Sequence, residues 1–409
     1  MSKPVRVIVV NADEEAAPEL RALLLSVEGV KIVAEVDEPL LLAQALNQFP
    51  AEVLLLHLDP HPAATLDVAA PLVAERKDRL TAIGMTEDRD AELVVRAMRA
   101  GLREFLWKPF PPEQLTDILR RVSNEAPTGG QRAGRLIPVV GCCGGVGATT
   151  IAANLAVELA KLEDWGGEGQ PPKVALVDLD FRFGQAAMFL DAQPTYTIAE
   201  LCDTPEHIEA QMIERVVVKH ATGVHVLAHP PDIEQAERIS AAQCAGVLAA
   251  MLEQYDFVVA DGPVRFDPSA RAVFDMTDIY LLVLQLLVPP VRNADRLLNE
   301  LRRGGYNVEQ VRLVCNRAGR EAGYLEPGDV ETTLGRKLDW SLPDDWKTAS
   351  TAINVGSPLA EFAPRSKLRA AIQQMAQDLA RRPTAESAPS AEKAAGDGAR
   401  KGLFSIFSG

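Results

Sequence analysis

The feature that most constrains this chain is a recurrence of short, continuous apolar runs separated by helix-length patterns. In residues 4–122 the runs are Val5–Val10, Val53–Leu58 and Thr81–Met85, with helical spacing at Glu19–Leu25 and Leu93–Ala100. In residues 135–382 they are Leu136–Val140, Val174–Val177, Val224–Leu227, Phe257–Ala260, Ile279–Leu284 and Val311–Val314. A strand that is apolar on both faces must be covered on both faces, and strands alternating with helices make parallel crossovers. The sequence therefore predicts two α/β blocks with mainly parallel sheets. Ligands on such sheets sit at the carboxyl ends of the strands, so those ends hold the informative residues.

At 409 residues the chain exceeds one ordinary domain. The expected division is a first block over 1–122, a polar Gly-rich linker over 123–134, a second block over 135–382 and a disordered tail over 383–409. Lys+Arg 42 against Asp+Glu 57 leaves a net charge of −15, which opposes non-specific binding to nucleic acid or anionic lipid. The five cysteines are scattered without a CxxC pair and read as reduced thiols of a cytoplasmic protein, not a disulfide framework or zinc site. The longest apolar run, Ile279–Val288, is broken by Gln285 and stopped by Pro289-Pro290. A membrane span needs about 20 residues, so this run is expected to be a buried strand.

The strand Leu136–Val140 leads into Gly141-Cys-Cys-Gly-Gly-Val-Gly-Ala-Thr-Thr150 and then a helix with Ile151, Leu155, Leu159 and Leu162 on one face. Strand, glycine loop and helix together form the context of a phosphate loop. Successive backbone amides and the helix dipole make an anion nest, and Thr149 falls where a hydroxyl would ligate Mg2+. Alone the loop fails the G-x-x-x-x-G-K-[ST] pattern twice, with Cys142 for the first glycine and Ala148 for the lysine. Downstream strand ends reinforce it. Val174–Val177 runs into Asp178-Leu-Asp180, Phe257–Ala260 ends at Asp261, and Val311–Val314 runs into Cys315-Asn316.

In that order these features resemble the MinD/ParA family of deviant-Walker ATPases over roughly residues 135–380, with Leu342-Pro-Asp-Asp345 and Asn354-Val-Gly-Ser-Pro-Leu359 also fitting. The resemblance implies a P-loop NTPase fold that binds ATP and Mg2+. Gly144, Gly145, Val146, Gly147, Ala148, Thr149 and Thr150 would wrap the phosphates. Thr149, Asp178 and Asp261 would hold the metal, partly through water, and Asp180 would position the attacking water. Asn316, Arg317 and Pro343 would meet the adenine. Two departures bear on activity. The family's signature lysine is Cys143 and its P-loop lysine is Ala148, so hydrolysis is expected to be slow or absent while binding survives through the amides. The adjacent Cys142-Cys143 is read as packing rather than a redox pair, because adjacent cysteines close only a strained ring.

In the first block, Ala100-Gly-Leu-Arg-Glu-Phe-Leu-Trp-Lys-Pro-Phe110 resembles the closing segment of response-regulator receiver domains, which have a flavodoxin-like fold. The resemblance places Asp13, His57, Thr86 and Lys108 at a degenerate phosphorylation site. His57 stands where the phosphoacceptor aspartate belongs, and Asn11-Ala12 replace the metal-binding acidic pair. Asp59 is expected to fall past the strand end. The block is therefore expected to be a phosphorylation-independent docking or dimerisation module.

A degenerate receiver fused to a MinD/ParA-like domain with a G-G-V-G-A-T-T loop resembles the TadZ/CpaE family of Tad (Flp) type IV pilus assembly factors. That resemblance implies a homodimeric localisation factor acting with the pilus secretion ATPase and inner-membrane assembly components. It would be cytoplasmic, peripheral at the inner membrane or cell pole, with no nucleic-acid partner. The alternative is an active MinD/ParA-type positioning ATPase for septum, flagellum or partition. The apolar end Gly402–Gly409, after Arg400-Lys401, resembles in position a MinD-type membrane-targeting tail.

Overall fold

In a computed structural model the chain is described over residues 5–381, apart from 14, 28–29, 50, 77–79, 126–133, 164, 166–168, 204–207, 264–267, 278, 305, 307 and 320–324. The tail expected over 383–409, with its apolar end, lies outside the described residues. Most of the expected linker does too, although the helix Pro112–Glu125 carries three residues into it.

Residues 5–125 build a five-stranded sheet from β1 (Val5–Val10), β2 (Val30–Val36), β3 (Val53–His57), β4 (Thr81–Thr86) and β5 (Glu104–Trp107). All neighbours are parallel and the order is β2-β1-β3-β4-β5, a doubly wound arrangement whose order reverses between β1 and β3. The second sheet has eight strands: β6 (Arg135–Gly141), β7 (Val174–Asp178), β8 (Val218–Lys219), β9 (Val224–Leu227), β10 (Phe257–Asp261), β11 (Tyr280–Leu284), β12 (Val311–Ala318) and β13 (Trp340–Pro343). Its order is β13-β12-β11-β6-β10-β7-β9-β8, parallel throughout except for the β8–β9 pair.

The runs read from sequence are the interior strands of both sheets. The four strands not anticipated, β2, β5, β8 and β13, are the four sheet edges. An interior strand needs apolar residues on both faces, whereas an edge tolerates polar ones. β2 reads Val-Lys-Ile-Val-Ala-Glu-Val, and β5 is only four residues long with Trp107 exposed.

The two sheets share buried apolar clusters and two arginine contacts. Arg21, on the helix Ala17–Ser26, donates to the Tyr306 hydroxyl at 2.6 Å, pairs with Asp275 and lies 2.5 Å from Glu35. Its guanidinium also stacks 4.9 Å from the Tyr306 ring centroid. Arg6 bridges Glu52 at 2.8 Å and Glu253 at 2.9 Å. Among the described residues no helix is long and apolar enough to cross a membrane.

Candidate functional site

The carboxyl ends of β6, β7, β10 and β12 form one edge of the second sheet, and the glycine loop crosses it between β6 and the helix Ala148–Ala160. Gly145 and Gly147 take φ of +76° and +97°, the left-handed region that glycine enters without steric cost. A Cβ on Gly144 or Gly145 would meet nothing within 4 Å, so that stretch lies open. Gly147 is different, because a Cβ there would sit 2.3 Å from Asn316 Nδ2. Two side chains brace the loop from below. Asn316 Nδ2 donates to the Val146 carbonyl at 2.7 Å, and Gln285 Nε2 donates to the Gly145 carbonyl at 3.3 Å. Both side chains belong to buried residues. Asn316, expected at the adenine, also lines the cleft beside the loop, and its Oδ1 accepts from the Arg317 amide at 2.9 Å.

The acidic residues divide into two roles. Asp178 and Asp261 are register partners on β7 and β10, so their carboxyls lie side by side in the sheet interior. Both Asp178 oxygens are used: Oδ1 accepts from the Asp180 amide at 3.1 Å and Oδ2 from the Ala186 amide at 2.9 Å. Asp178 therefore organises the loop 179–186, and a Cβ on Gly184 would collide with its carboxylate at 2.5 Å. Asp261 is less satisfied. The Thr149 hydroxyl bonds it, yet its Oδ2 is buried without a hydrogen-bond partner among the described residues. Burial pushes the Asp178 carboxyl up to about 7, against the amide bonds that lower it. Burial and the neighbouring Asp178 push Asp261 up to about 7. A buried carboxylate oxygen with no partner is costly, and a cation fits beside it. Asp180, half-buried, accepts from the Arg182 and Phe183 amides at 3.3 and 3.1 Å, which turns the chain across the edge.

A cleft beside the loop brings Gly147, Thr150, Asn316, Arg317, Pro343 and Trp346 together. Arg317, at the non-glycine φ of +55°, stacks its guanidinium 4.7 Å over the exposed Trp346 ring. The sequence reading missed Trp346 and Gln285. Gln285 had only interrupted an apolar run, which itself signals a polar side chain with an assigned partner. Cys143 and Ala148 are both half-buried and packed against the adjoining apolar core, so no cation stands at either position. Burial and the adjacent Cys143 push the Cys142 thiol up, so it is not an activated thiolate.

The first sheet's edge gathers Asn11, Asp13, His57, Thr86 and Lys108, and adds Asp59, which the sequence reading had set past the strand end. It does lie past β3, but its side chain turns back. Thr86 donates to Asp59 Oδ1 at 2.6 Å and the Glu87 amide donates to Oδ2 at 2.9 Å. His57 is buried and lies 2.5 Å from Asn11 Oδ1 through Nδ1 and 2.8 Å from Lys108 Nζ through Nε2. Burial, then the Lys108 charge, holds the imidazole pKa below its ordinary value. Asp13 accepts from the Glu15 and Ala16 amides, and those bonds lower its pKa. Among the described residues no cluster of three or more His, Cys, Asp or Glu is placed to hold a metal ion.

No protein-family model matches the chain. The septum site-determining protein MinD of Thermotoga maritima is 25% identical over 233 residues, 56% of this chain and 81% of that protein. The crystal structure of a ParA family ATPase from Chlorobium tepidum superposes with a TM-score of 0.56 at 21% identity, covering 60% of this chain and 99% of that one. The MinD of Pyrococcus horikoshii, solved in complex with Mg-ADP, gives a TM-score of 0.51 at 20% identity over 60% of this chain and 96% of that one.

Proposed function

We propose that this MinD/ParA-like P-loop protein is a nucleotide-gated positioning switch, which binds ATP with Mg2+, pairs with a second copy when loaded and turns ATP over slowly. The observation that carries the reading is the open amide loop facing a sheet edge where Asp261 keeps a buried, unpartnered oxygen. The sequence relatives support the class: MinD proteins are septum-site determinants, and one MinD neighbour of this fold was solved with Mg-ADP.

In this proposal the amides of Gly144 to Thr150 hold the phosphates, and Thr149 with Asp261 holds the metal. Asp178 keeps the 179–186 loop in place and so presents Asp180. Arg317 and Trp346 supply a flat cationic-aromatic surface at the cleft where a base is expected. Mg-ATP, when bound, supplies the charge that the amide nest and the acidic edge are built to balance. Without a lysine at 143 or 148, neither loop position offers a cation to stabilise charge developing during phosphoryl transfer, so binding outlasts turnover.

A narrower reading assigns the switch to Tad pilus assembly, acting with a secretion ATPase and inner-membrane components through a phosphorylation-independent first block. It is favoured by Ala148 in the loop and by the first block's lack of an aspartate at His57. The named relatives favour the broader septum- or partition-type positioning role, which we adopt. Calorimetric titration with Mg-ATP tests the site. Saturable binding that Thr149→Ala weakens at least about tenfold is expected. Heat traces indistinguishable from buffer in the parent protein would rule the reading out.

A further inference from the structure

The nucleotide reading draws on no residue of the first block, yet the two blocks meet at the helix that follows the metal edge. β10 ends at Asp261, and the next element is the helix Pro268–Asp275. Its last residue, Asp275, puts a carboxylate at the negative end of a helix dipole, with a side chain only 13% exposed. Burial and the dipole both oppose a negative charge there. The compensating cation comes from the first block. Arg21, on the helix Ala17–Ser26, pairs with Asp275, donates to the Tyr306 hydroxyl at 2.6 Å and lies 2.5 Å from Glu35 of β2. Side chains of the second block finish the same helix end: the Thr277 hydroxyl donates to the Val273 carbonyl at 2.7 Å, and the Tyr280 hydroxyl to the Phe274 carbonyl at 2.6 Å.

The same helix is packed against the strands that carry the glycine loop and its brace. Ala270 and Phe274 are buried in one apolar cluster with Val140 of β6 and Leu284 of β11, which lead into the loop and into Gln285. The Phe274 ring meets Tyr280, the first residue of β11, at 5.0 Å between centroids. Close-packed interiors transmit displacement, so the position of the far end of this helix bears on the sheet edge it comes from. A buried ion pair is weaker glue than apolar packing, but it is more sensitive to position, because a displaced partner leaves a buried charge without its cation. We infer that Arg21 is a positioning residue for the nucleotide site: it fixes the end of the helix that follows Asp261, so that docking of the first block and binding of Mg-ATP favour one another. The inference rests on the nucleotide proposal and adds to it the first block as a source of control.

The test titrates Mg-ATP calorimetrically into the full-length parent, Arg21→Ala and Arg6→Ala. The last breaks the other arginine contact between the blocks, the pair with Glu253, which lies on a different segment of the second block. Arg21→Ala is expected to bind Mg-ATP about five- to fiftyfold more weakly than the parent, and Arg6→Ala to stay within about twofold. Coupling is reciprocal, so saturating Mg-ATP is expected to slow amide exchange over residues 17–26 in the parent. A folded Arg21→Ala with the parent's affinity overturns the inference. So does an equal loss in Arg6→Ala, which would mean general loosening, and so does exchange over 17–26 that is indifferent to Mg-ATP. A parent that gives no heat with Mg-ATP defeats the nucleotide proposal itself and this inference with it. If Arg21→Ala does not fold, Asp275→Asn keeps the side-chain shape, removes the charge that Arg21 holds and is judged by the same outcomes.

Discussion

The two sheets place acidic residues at the same topological position, the carboxyl ends of their strands, with opposite results. On the first sheet Asp59 is met by a hydroxyl, an amide and an ammonium, and burial holds the pKa of the imidazole beside it below its ordinary value. On the second, Asp178 and Asp261 sit side by side in the interior, and one Asp261 oxygen is unpartnered among the described residues. The first edge closes on itself. The second remains electrostatically incomplete, which is the condition of a site built to receive a ligand. A shared architecture thus fixes where chemistry can occur, and the placement of one lysine decides whether the site needs anything from outside.

Supplying the missing cations gives the strongest test of that contrast. Cys143→Lys/Ala148→Lys is expected to raise ATP hydrolysis by about 10²-fold or more, read by phosphate release, since cationic groups at such positions contribute about 10³–10⁵ in rate. An unchanged rate would mean that lysine loss is not what limits turnover.

Arg21→Ala probes the contact that joins the two sheets. The Arg21 and Asp275 side chains are 12% and 13% exposed, and burial already pushes the Asp275 carboxyl up to about 6 despite the arginine. Losing the guanidinium leaves the buried Asp275 carboxyl without its cation, with the Tyr306 hydroxyl as its remaining partner, at a cost of about 3–5 kcal/mol in denaturant unfolding. A loss below about 1 kcal/mol would show that the apolar clusters and the Arg6–Glu253 pair join the sheets without it.

The sharpest comparison is one substitution made at each edge. Asp178 and Asp261 have folded-state values of about 7, against 3.8 as ordinary carboxyls. The native state therefore binds more protons across that window, and its stability falls as pH rises from about 4 to 7, staying low above. Asp261→Asn is expected to flatten that decline and to stabilise the ligand-free protein by on the order of 1–2 kcal/mol at pH 8, while weakening Mg2+-dependent nucleotide binding. Asp59→Asn is expected to do the reverse, costing about 1–2 kcal/mol because it weakens charge-assisted hydrogen bonds. Thermal unfolding of both variants at pH 5 and pH 8 reads the signs. Equal signs would erase the distinction between the two edges.

Legibility followed burial. Interior strands announced themselves because both faces must be apolar. The edges, β2, β5, β8 and β13, did not, because one side of each lacks a neighbouring strand and polar residues such as Lys31 and Glu35 interrupt the pattern. The same logic explains the sites. The glycine loop and the strand-end aspartates were visible because backbone geometry demands glycine and strand register aligns carboxyls. Asp59, Gln285 and Trp346 were not, since each acts across a gap in sequence: Asp59 meets Thr86, Gln285 braces Gly145 and Trp346 stacks on Arg317. The brace that Asn316 supplies to the glycine loop was not legible either, because sequence cannot show that its amide reaches the Val146 carbonyl.

The most direct test of the nucleotide-gated switch is solution mass by light scattering, with and without Mg-ATP, for the parent and for Thr149→Ala/Asp180→Ala. The account predicts a mass that doubles from monomer to dimer with Mg-ATP in the parent and does not change in the variant. A parent mass indifferent to Mg-ATP would contradict it, leaving the P-loop fold as a scaffold that nucleotide does not switch.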